Sequence, residues 1–357
     1  MIALIVDDEP LAMKQLYRLL KESRMFSTIV TFNDAVDARA YVKNNAFDIA
    51  FLDIEMPIIS GIELADTIQS LYPHVHIVFI TAFDEYAVKA FEMNALDYIV
   101  KPVTKKRLKI SIERAQLAKT STKKEQTKKQ EGMIHCFGSL AFTVSTEPHK
   151  EREVKWRTSK ARELFCYLLH YRNKIIRKDI FLDLFWPDID IKRANTQFYS
   201  TIYQIRKTLH TIHLDIKLTR YETGYQLELQ DVLVDVDEWE TSLQRLGNVK
   251  DDNIEKHLEM MGYYTQPYFD YYDYVWAESE KMRLQHLWLQ HAQQIVAFLI
   301  EKKAYERAIK ICYRIQTIDP YQEQIYHTLI DLYNKVGNIE AAIEQYSLLQ
   351  KIKQDIT

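Results

Sequence analysis

The stretch "FLDIEMPIISG", residues 51–61, decides the fold of the N-terminal part of the chain. Its apolar start predicts a buried strand, and Asp53 ends that strand just before a loop that contains a proline. From residue 1 to residue 118, further short apolar runs alternate with segments of helical periodicity, which is typical of βαβ units. We therefore predict an α/β domain with a doubly wound parallel sheet.

Polar side chains follow four of the predicted strands at their carboxyl ends, where the diverging loops of an open parallel sheet leave a crevice. Asp7 and Asp8 follow the first strand, and Asp53, Thr81 and Lys101 follow three later ones. Three carboxylates that converge repel one another unless a hard divalent cation binds among their oxygens, and Mg²⁺ suits such ligands. With that ion bound, Asp53 is a candidate oxygen nucleophile for a phosphoryl group. Lys101 then neutralises the equatorial oxygens and Thr81 donates a hydrogen bond to the new phosphate.

The segments "VDDEP", "FLDIEMPIISG", "FITAF" and "DYIVKP" stand in the order found in receiver domains of two-component response regulators, which residues 1–118 resemble. The phrase "FDEYAVKAFEMNALDYIVKP" is similar to receivers of the LytTR group. The resemblance implies a flavodoxin-like fold, a cognate sensor histidine kinase, and a readout face over residues 83–98 that mediates homodimerisation of the phosphorylated protein. It implies these roles: Asp53 as phosphoacceptor, Thr81 and Lys101 as catalytic residues, Thr81 and Tyr98 as the switch, and Asp7, Asp8, Asp53 and the backbone carbonyl of Glu55 as metal ligands.

The formal net charge of −3 conceals an uneven distribution. Residues 1–118 and 231–357 carry net charges of −3 and −8, whereas residues 132–230 carry +5. The segment "KTSTKKEQTKKQEG", which contains no apolar residue, is interpreted as a charged linker over residues 119–132. A basic centre between acidic ends favours a polyanionic partner for the central segment alone.

A helix predicted over residues 194–209 separates an apolar stripe from a polar one. The apolar stripe, which we expect in the core, consists of Ala194, Phe198, Ile202, Ile205 and Leu209. The opposite stripe and its flanks contain no acid and consist of Arg193, Thr196, Gln197, Ser200, Tyr203, Gln204, Arg206 and Lys207. Its cations suit DNA phosphates and its shorter polar side chains suit base edges in a major groove, although a solvated helix face has the same pattern.

An initial sheet, three helices and a closing hairpin over residues 133–232 resemble the winged-helix domain of OmpR-type regulators. The segments "WRTSKARELFCYLL", "RKDIFLDLFWPD", "YQIRKTL" and "TGYQLEL" are closer still to the SARP family. The resemblance implies an α+β winged-helix domain that binds double-stranded promoter DNA, with Thr158 or Ser159 as the cap of its first helix. Arg220, near the wing, contacts a phosphate or enters the minor groove, unless it is an ordinary surface arginine. The implied core includes Trp156, Leu164, Phe165, Leu184, Phe185 and Trp186.

Residues 233–357 are predicted to be almost entirely helical and contain a repeat. "AYERAIKIC" from Ala304 aligns with "NIEAAIEQY" from Asn338 at an offset of 34 residues, the period of tetratricopeptide helix pairs. Together with the approach "GYYTQPYFDYYDYVWAESE", the region resembles the bacterial transcriptional activator domain of the SARP family, which implies an all-α, TPR-like fold. The acidic charge argues against nucleic acid here, so the remaining surface binds a peptide or an RNA polymerase subunit, or docks against the receiver.

The composition and the motifs of the chain argue against several classes of protein. The three cysteines form no paired ligand motif, which argues against a disulfide framework and against a zinc site. The apolar start "MIALIV" runs straight into three acids and is neither a signal peptide nor a membrane span, so we expect a cytoplasmic protein without a membrane partner. Residues 119–357 contain no glycine-rich nucleotide loop, catalytic triad or metal-hydrolase spacing, which predicts that the output region is not an enzyme.

The leading hypothesis is a two-component response regulator in which phosphoryl transfer from a histidine kinase to Asp53 promotes dimerisation and DNA binding. The alternative is a phosphorylation-gated signalling adaptor. In that case the TPR-like region binds protein partners, and the basic centre only packs between domains.

Overall fold

The structure, a computed structural model, describes residues 1–82, 97–122 and 131–355. The chain separates into two compact units. The first comprises Met1–Gly132 and Val144–Val232, and the second comprises Met133–Thr143 and Leu233–Thr357. The start of the segment expected to form the winged helix, residues 133–143, therefore groups with the second unit.

A five-stranded parallel sheet forms the centre of the N-terminal part of the first unit, and it confirms the predicted α/β fold. The strand order is β2-β1-β3-β4-β5. The strands are β1 Ile2–Val6, β2 Thr28–Phe32, β3 Ile49–Asp53, β4 His76–Thr81 and β5 Asp97–Val100. Every residue of β3 is buried, as expected for a central strand covered on both faces.

Four described helices accompany this sheet: α1 Pro10–Ser23, α2 Ala35–Val42, α3 Gly61–Leu71 and α4 Lys105–Thr122. Side-chain caps start two of them, because Asp34 accepts hydrogen bonds from the first turn of α2 and Ser60 accepts one from the first turn of α3. Helix α4 continues to Thr122 and so includes the start of the segment interpreted as a linker from residue 119. Residues 123–130 of that segment lie outside the described residues.

The C-terminal part of the first unit contains the three predicted helices and the predicted hairpin. Its elements are β8 Glu147–Arg152, α5 Ser159–His170, β9 Ile176–Arg177, α6 Lys178–Phe185, α7 Ile191–Ile212, β10 Ile216–Arg220 and β11 Gly224–Leu229. Strands β10, β11 and β9 form an antiparallel sheet in that order. Gly224 is required for this pairing, since a Cβ there would lie 1.9 Å from the carbonyl oxygen of Ile176. Thr158 caps α5, because its hydroxyl accepts a hydrogen bond of 3.1 Å from the Ala161 amide.

The core of this part follows most of the predicted apolar pattern. The apolar stripe of α7 is buried as predicted, with at most 7% exposure at any of its five positions. Leu164, Phe165, Phe185 and Trp186 are buried, and Trp156 is only partly buried. Leu184 is 42% exposed, so its predicted place in the core is wrong. The short helix α6 turns Phe181, Leu182 and Phe185 inward, and the helical period then directs Leu184 to solvent.

The second unit is largely helical. Strands β12 Val232–Val234, β6 Gly132–His135 and β7 Ala141–Val144 lie side by side in that order. Its helices are α8 Asp235–Leu246, α9 Ile254–Tyr263, α10 Glu278–Glu301, α11 Tyr305–Ile318, α12 Glu323–Val336 and α13 Ile339–Asp355, with a 3₁₀ turn at Val275–Ala277. Helices α11 and α13 begin 34 residues apart, at the offset of the repeat. None of the described helices combines the length and the hydropathy that a membrane span requires.

Candidate functional site

Three carboxylates meet at the carboxyl edge of the parallel sheet, because the strands that lead to them are neighbours. Asp53 is the last residue of β3, and Asp7 and Asp8 follow β1, which pairs with β3. Carboxylate oxygens of these three residues all lie within 4.8 Å of one another. Asp7 and Asp53 are only 2% and 6% exposed. The structure thus brings together the acids that sequence reasoning placed at this edge.

The Lys101 ammonium group reaches into the same pocket from the end of β5. Its nitrogen lies 3.1 Å from Asp53 Oδ2, 3.1 Å from Asp7 Oδ2 and 2.9 Å from Glu9 Oε2. The backbone amide of Lys101 donates a hydrogen bond of 2.7 Å to the carbonyl of Thr81, which is buried at the end of β4. Sequence reasoning did not single out Glu9, although it directly follows the paired aspartates.

The pKa values in the pocket are set by burial and by the contacts of Lys101. Burial raises the pKa of Asp53 to about 6, and the attraction of Lys101 only partly opposes this effect. Burial also raises the pKa of Asp7. For Lys101, burial alone would lower the pKa, but its contacts with Glu9, Asp53 and Asp7 raise it. One ammonium group therefore serves more carboxylates than it can neutralise.

The residues of the pocket fit a hard divalent cation. Asp7, Asp8 and Asp53 each offer one carboxylate oxygen within a space that a single ion spans. Oxygen ligands and an excess of negative charge are the conditions under which proteins bind Mg²⁺. The backbone carbonyl of Glu55, which the family resemblance adds to the ligands, lies in the loop directly after Asp53.

The loop after Asp53 ties the pocket to helix α3. The Gly61 amide, at the start of α3, donates a hydrogen bond of 3.0 Å to the carbonyl of Ile54. A Cβ at Gly61 would lie 1.8 Å from the Asp53 carbonyl oxygen, so only glycine permits this approach. The first turn of α3 is thus held directly against the end of the strand that carries Asp53.

Tyr98, the predicted switch residue, is half-buried in β5, where its carbonyl accepts a hydrogen bond of 2.8 Å from Arg107. The preceding residue, Asp97, is buried and pairs with Arg107, Ser111 and Arg114 of α4. Burial would raise the pKa of Asp97, but the bonds from Arg107 and Ser111 lower it. Sequence reasoning missed this cluster. Residues 83–96, most of the predicted readout face, lie outside the described residues.

The predicted DNA-reading stripe of α7 is not uniformly open to solvent. Arg193 and Lys207, at its two ends, are exposed, and Thr196, Gln197 and Tyr203 are partly exposed. Ser200 and Gln204, in the middle, are 5% and 7% exposed. The expected continuous solvent-facing stripe is therefore interrupted in this structure. The role of these residues in DNA binding stays a prediction.

Arg220 does not extend into solvent from the hairpin. Its guanidinium group lies 2.7 Å from Glu63 Oε1 and 2.9 Å from Asp66 Oδ2, both on α3. Burial would lower the pKa of Arg220, but the charge of Asp66 and the other acidic neighbours raise it. The alternative of an ordinary surface arginine is therefore wrong, and a DNA contact from this position requires these ion pairs to open.

Comparison with known proteins assigns the two ends of the chain. Residues 3–113 match the family described as the response regulator receiver domain. Residues 261–355 match the family described as the bacterial transcriptional activator domain.

Curated relatives match the N-terminal part of the chain. The sensory transduction protein LytR of Staphylococcus epidermidis is 42% identical over 123 residues, which are 34% of this chain and 49% of the relative. The transcriptional regulatory protein BtsR of Salmonella typhimurium is 45% identical over 111 residues, which are 31% of this chain and 46% of the relative. The chain spans about half the length of the curated relatives it matches.

Solved structures match the same part. The response regulatory domain of protein mrkE from Klebsiella pneumoniae is 35% identical and covers 35% of this chain and 100% of its own, with a TM-score of 0.30. The response regulator protein TrrA from Thermotoga maritima, in complex with Mg²⁺-BeF, is 30% identical and covers 32% of this chain and 97% of its own, with a TM-score of 0.29. The two family matches identify a response regulator receiver domain at residues 3–113 and a bacterial transcriptional activator domain at residues 261–355.

Proposed function

We propose that this protein is a two-component response regulator that accepts a phosphoryl group on Asp53 from a sensor histidine kinase and controls transcription through its basic middle segment. The observation that carries the proposal is the pocket in which Asp53 lies beside Asp7, Asp8 and the Lys101 ammonium group. The two matched families, one at each end of the chain, are consistent with this function.

Each residue of the pocket has a separate role in the proposed phosphoryl transfer. An Asp53 oxygen forms the new bond to phosphorus as the bond between phosphorus and the donor nitrogen breaks. Lys101 lies 3.1 Å from Asp53 and so pairs with the negative charge of the incoming group. Asp7, Asp8 and Asp53 would hold Mg²⁺, which supplies further neutralisation of the phosphoryl oxygens when it is bound. Thr81, at the end of the adjacent strand, offers its hydroxyl to the phosphate.

Labelling with a small phosphodonor tests the acceptor. Incubation of the full chain with radiolabelled acetyl phosphate and Mg²⁺ should give one acid-stable, base-labile label, and Asp53→Asn should abolish it. Asp37→Asn, which changes an exposed acid on α2, is the matched control and should retain it. Undiminished labelling of Asp53→Asn would place the nucleophile elsewhere.

We further propose that residues 133–232 form a winged-helix domain that binds double-stranded promoter DNA through α7. The order of α5, α6 and α7 before the β10–β11 hairpin supports this, as does the net charge of +5 over residues 132–230. We also propose that the receiver is of the LytTR type and the winged helix of the SARP type. In the same proposal the phosphorylated protein forms a homodimer and contacts RNA polymerase. Alanine at both Arg193 and Lys207 removes the two exposed cations of the stripe and should weaken binding to promoter fragments, with a shallower dependence on salt.

The signalling adaptor is the second candidate. In that hypothesis the basic centre only packs between domains, and the burial of Ser200 and Gln204 favours such packing. It predicts that alanine at Arg193 and Lys207 leaves promoter binding unchanged after phosphorylation. It also predicts that phosphorylation changes the affinity of the C-terminal helices for protein partners.

A further inference from the structure

Helix α13 carries an apolar stripe that no described helix covers. Ile339, Ile343 and Tyr346 are 67%, 62% and 55% exposed, and their spacing of four and then three residues places them on one face. A different face attaches α13 to the second unit, because Gln345 and Leu349 are only 2% and 1% exposed. Large apolar side chains that form one exposed patch mark an interaction surface. These three residues are called the α13 stripe.

The internal repeat indicates which kind of element covers the equivalent surface. At the offset of 34 residues, Ile343 corresponds to Ile309 and Tyr346 to Cys312, and both of these residues of α11 are buried. Helix α13 packs against α12 as α11 packs against α10, but α11 also packs against α12. Only residues 319–322 separate α11 from α12, so these two helices are antiparallel. The described residues contain no helix that follows α13 in this way, and the α13 stripe therefore suits an antiparallel helix.

We propose that this helix is α13 of a second copy of the chain, packed about a twofold axis. An isologous contact requires a surface that is complementary to itself, and the α13 stripe meets this requirement. With the axis between Ile343 and Tyr346, each of these residues lies opposite the other residue of the second copy. Ile339 then lies opposite Gln350. The contact requires neither phosphorylation nor DNA, and it is separate from the predicted readout face over residues 83–98.

The charges of α13 favour the same antiparallel arrangement. Glu340 and Glu344 lie in the first half of the helix and Lys351 in the second half, and all three are exposed. A rotation of about 100° per residue places them on one flank of the α13 stripe. In an antiparallel pair about a twofold axis, this flank faces the same flank of the second copy. Glu340 then lies within about 3 Å of Lys351 along the helix axis, whereas a parallel pair would oppose acid to acid.

The length of the helix limits the strength of the association. Helix α13 has 17 residues and is therefore about 25 Å long, so a contact along it alone is smaller than the roughly 800 Å² per partner of a standard interface. We expect a dissociation constant of about 10 to 100 µM. A second contact between the same two copies, such as the homodimer proposed for the phosphorylated protein, would raise their effective concentration and strengthen the pairing.

Sedimentation velocity of the full chain tests the surface. Every sample carries Asp53→Asn, which removes any contribution from phosphorylation, and the concentration runs from about 1 to about 200 µM. We expect a dimer that forms with increasing concentration. Ile343→Glu places a charge in the apolar contact and should raise the dissociation constant at least about tenfold. Val275→Glu is the matched control, since Val275 is another aliphatic residue of the second unit and is 87% exposed, and it should leave the dissociation constant unchanged.

Charge reversal tests the partner and its orientation. Glu340→Lys and Lys351→Glu each oppose like charges in the proposed dimer, and each should weaken it about fivefold at low ionic strength. An equimolar mixture of these two variants should associate as tightly as the parent chain, because both contacts in a mixed pair then join opposite charges. Circular dichroism verifies that the variants keep the helical content of the parent.

Each outcome decides for or against the proposal. A chain that stays monomeric at the highest concentration assigns the α13 stripe to a helix of another protein and overturns the proposal. A dimer that Ile343→Glu does not weaken lies elsewhere, with the same consequence. A mixture no tighter than its two components excludes the antiparallel pair of identical helices. Because these measurements use Asp53→Asn and no DNA, their result is independent of the function proposed above.

Discussion

Replacing Asp53, the proposed phosphoacceptor, should make the metal-free protein more stable. Asp53 is almost fully buried beside Asp7, and burial raises its pKa because the carboxylate loses more hydration than Lys101 restores. Asp53→Asn keeps the shape of the side chain and removes its charge. Lys101 retains Asp7 and Glu9 as partners in the variant, so the substitution does not leave a buried cation without a counter-charge.

The magnitude follows from the two pKa values. The pKa of Asp53 is about 6 in the folded protein, against an ordinary value of 3.8. At about 1.4 kcal/mol per pH unit, ionised Asp53 lowers the free energy of unfolding by about 3 kcal/mol at pH 7. Because the folded-state pKa is the higher one, the folded protein binds the proton more tightly than the unfolded chain does. The loss of unfolding free energy caused by ionised Asp53 is therefore absent below pH 3.8, develops between pH 3.8 and about 6, and is complete above that range.

Urea unfolding of the receiver region in the full chain, followed by far-UV circular dichroism and amide exchange, measures this difference. In EDTA at pH 7, Asp53→Asn should raise the free energy of unfolding by about 2 to 3 kcal/mol, and at pH 4 the gain should nearly vanish. Mg²⁺ should reduce the gain at pH 7, since it stabilises the wild type by binding to the folded state. Asp37→Asn controls for the loss of an exposed charge. A variant equal to or less stable than wild type at pH 7, or a gain that does not depend on pH, would refute the reasoning.

Three further predictions concern positions with defined surroundings. Gly61→Ala places a Cβ 1.8 Å from the Asp53 carbonyl oxygen. The variant should destabilise the receiver by about 3 kcal/mol in urea unfolding, and its rate of labelling by acetyl phosphate should fall at least tenfold. Gly262→Ala, in helix α9 with nothing within 4 Å, should instead stabilise the second unit by about 0.5 to 1 kcal/mol in urea unfolding; a loss would contradict the open space there. The buried pair His257 and His291 should make the second unit acid-sensitive, because burial and the neighbouring imidazole lower the pKa of His291 to about 4. The unfolded chain then binds the proton first, and stability present above pH 6.5 should decline by about 2 kcal/mol between pH 7 and pH 5 in chemical unfolding; no decline there would exclude this coupling.

The local pattern of the sequence was sufficient to predict the parallel sheet and the acidic pocket. Strand ends in a parallel sheet converge at one edge, so residues as distant in sequence as Asp7, Asp53 and Lys101 could be placed together from their position after apolar runs. The repeat offset likewise placed the starts of α11 and α13. The repeat did not predict the different burial of equivalent positions. Ile309 is 7% exposed and its counterpart Ile343 is 62% exposed, since α13 is the last described helix and no further described helix covers it.

The polar face of α3 shows why the junction between the receiver and the basic segment was not predicted. Helical periodicity identifies a face that packs on a sheet through apolar side chains, and it assigns acids on the other face, such as Glu63 and Asp66, to solvent. The cations that bury these acids lie 140 and 154 residues away from Asp66 in sequence, and no period connects them. The sequence likewise identified Arg220 as a residue for binding an oxyanion, because a guanidinium group in a basic segment has that chemistry. Carboxylate and phosphate oxygens both accept hydrogen bonds from such a guanidinium group. Residue type and spacing therefore define the class of ligand, and only the tertiary structure decides whether an internal acid or DNA occupies the site.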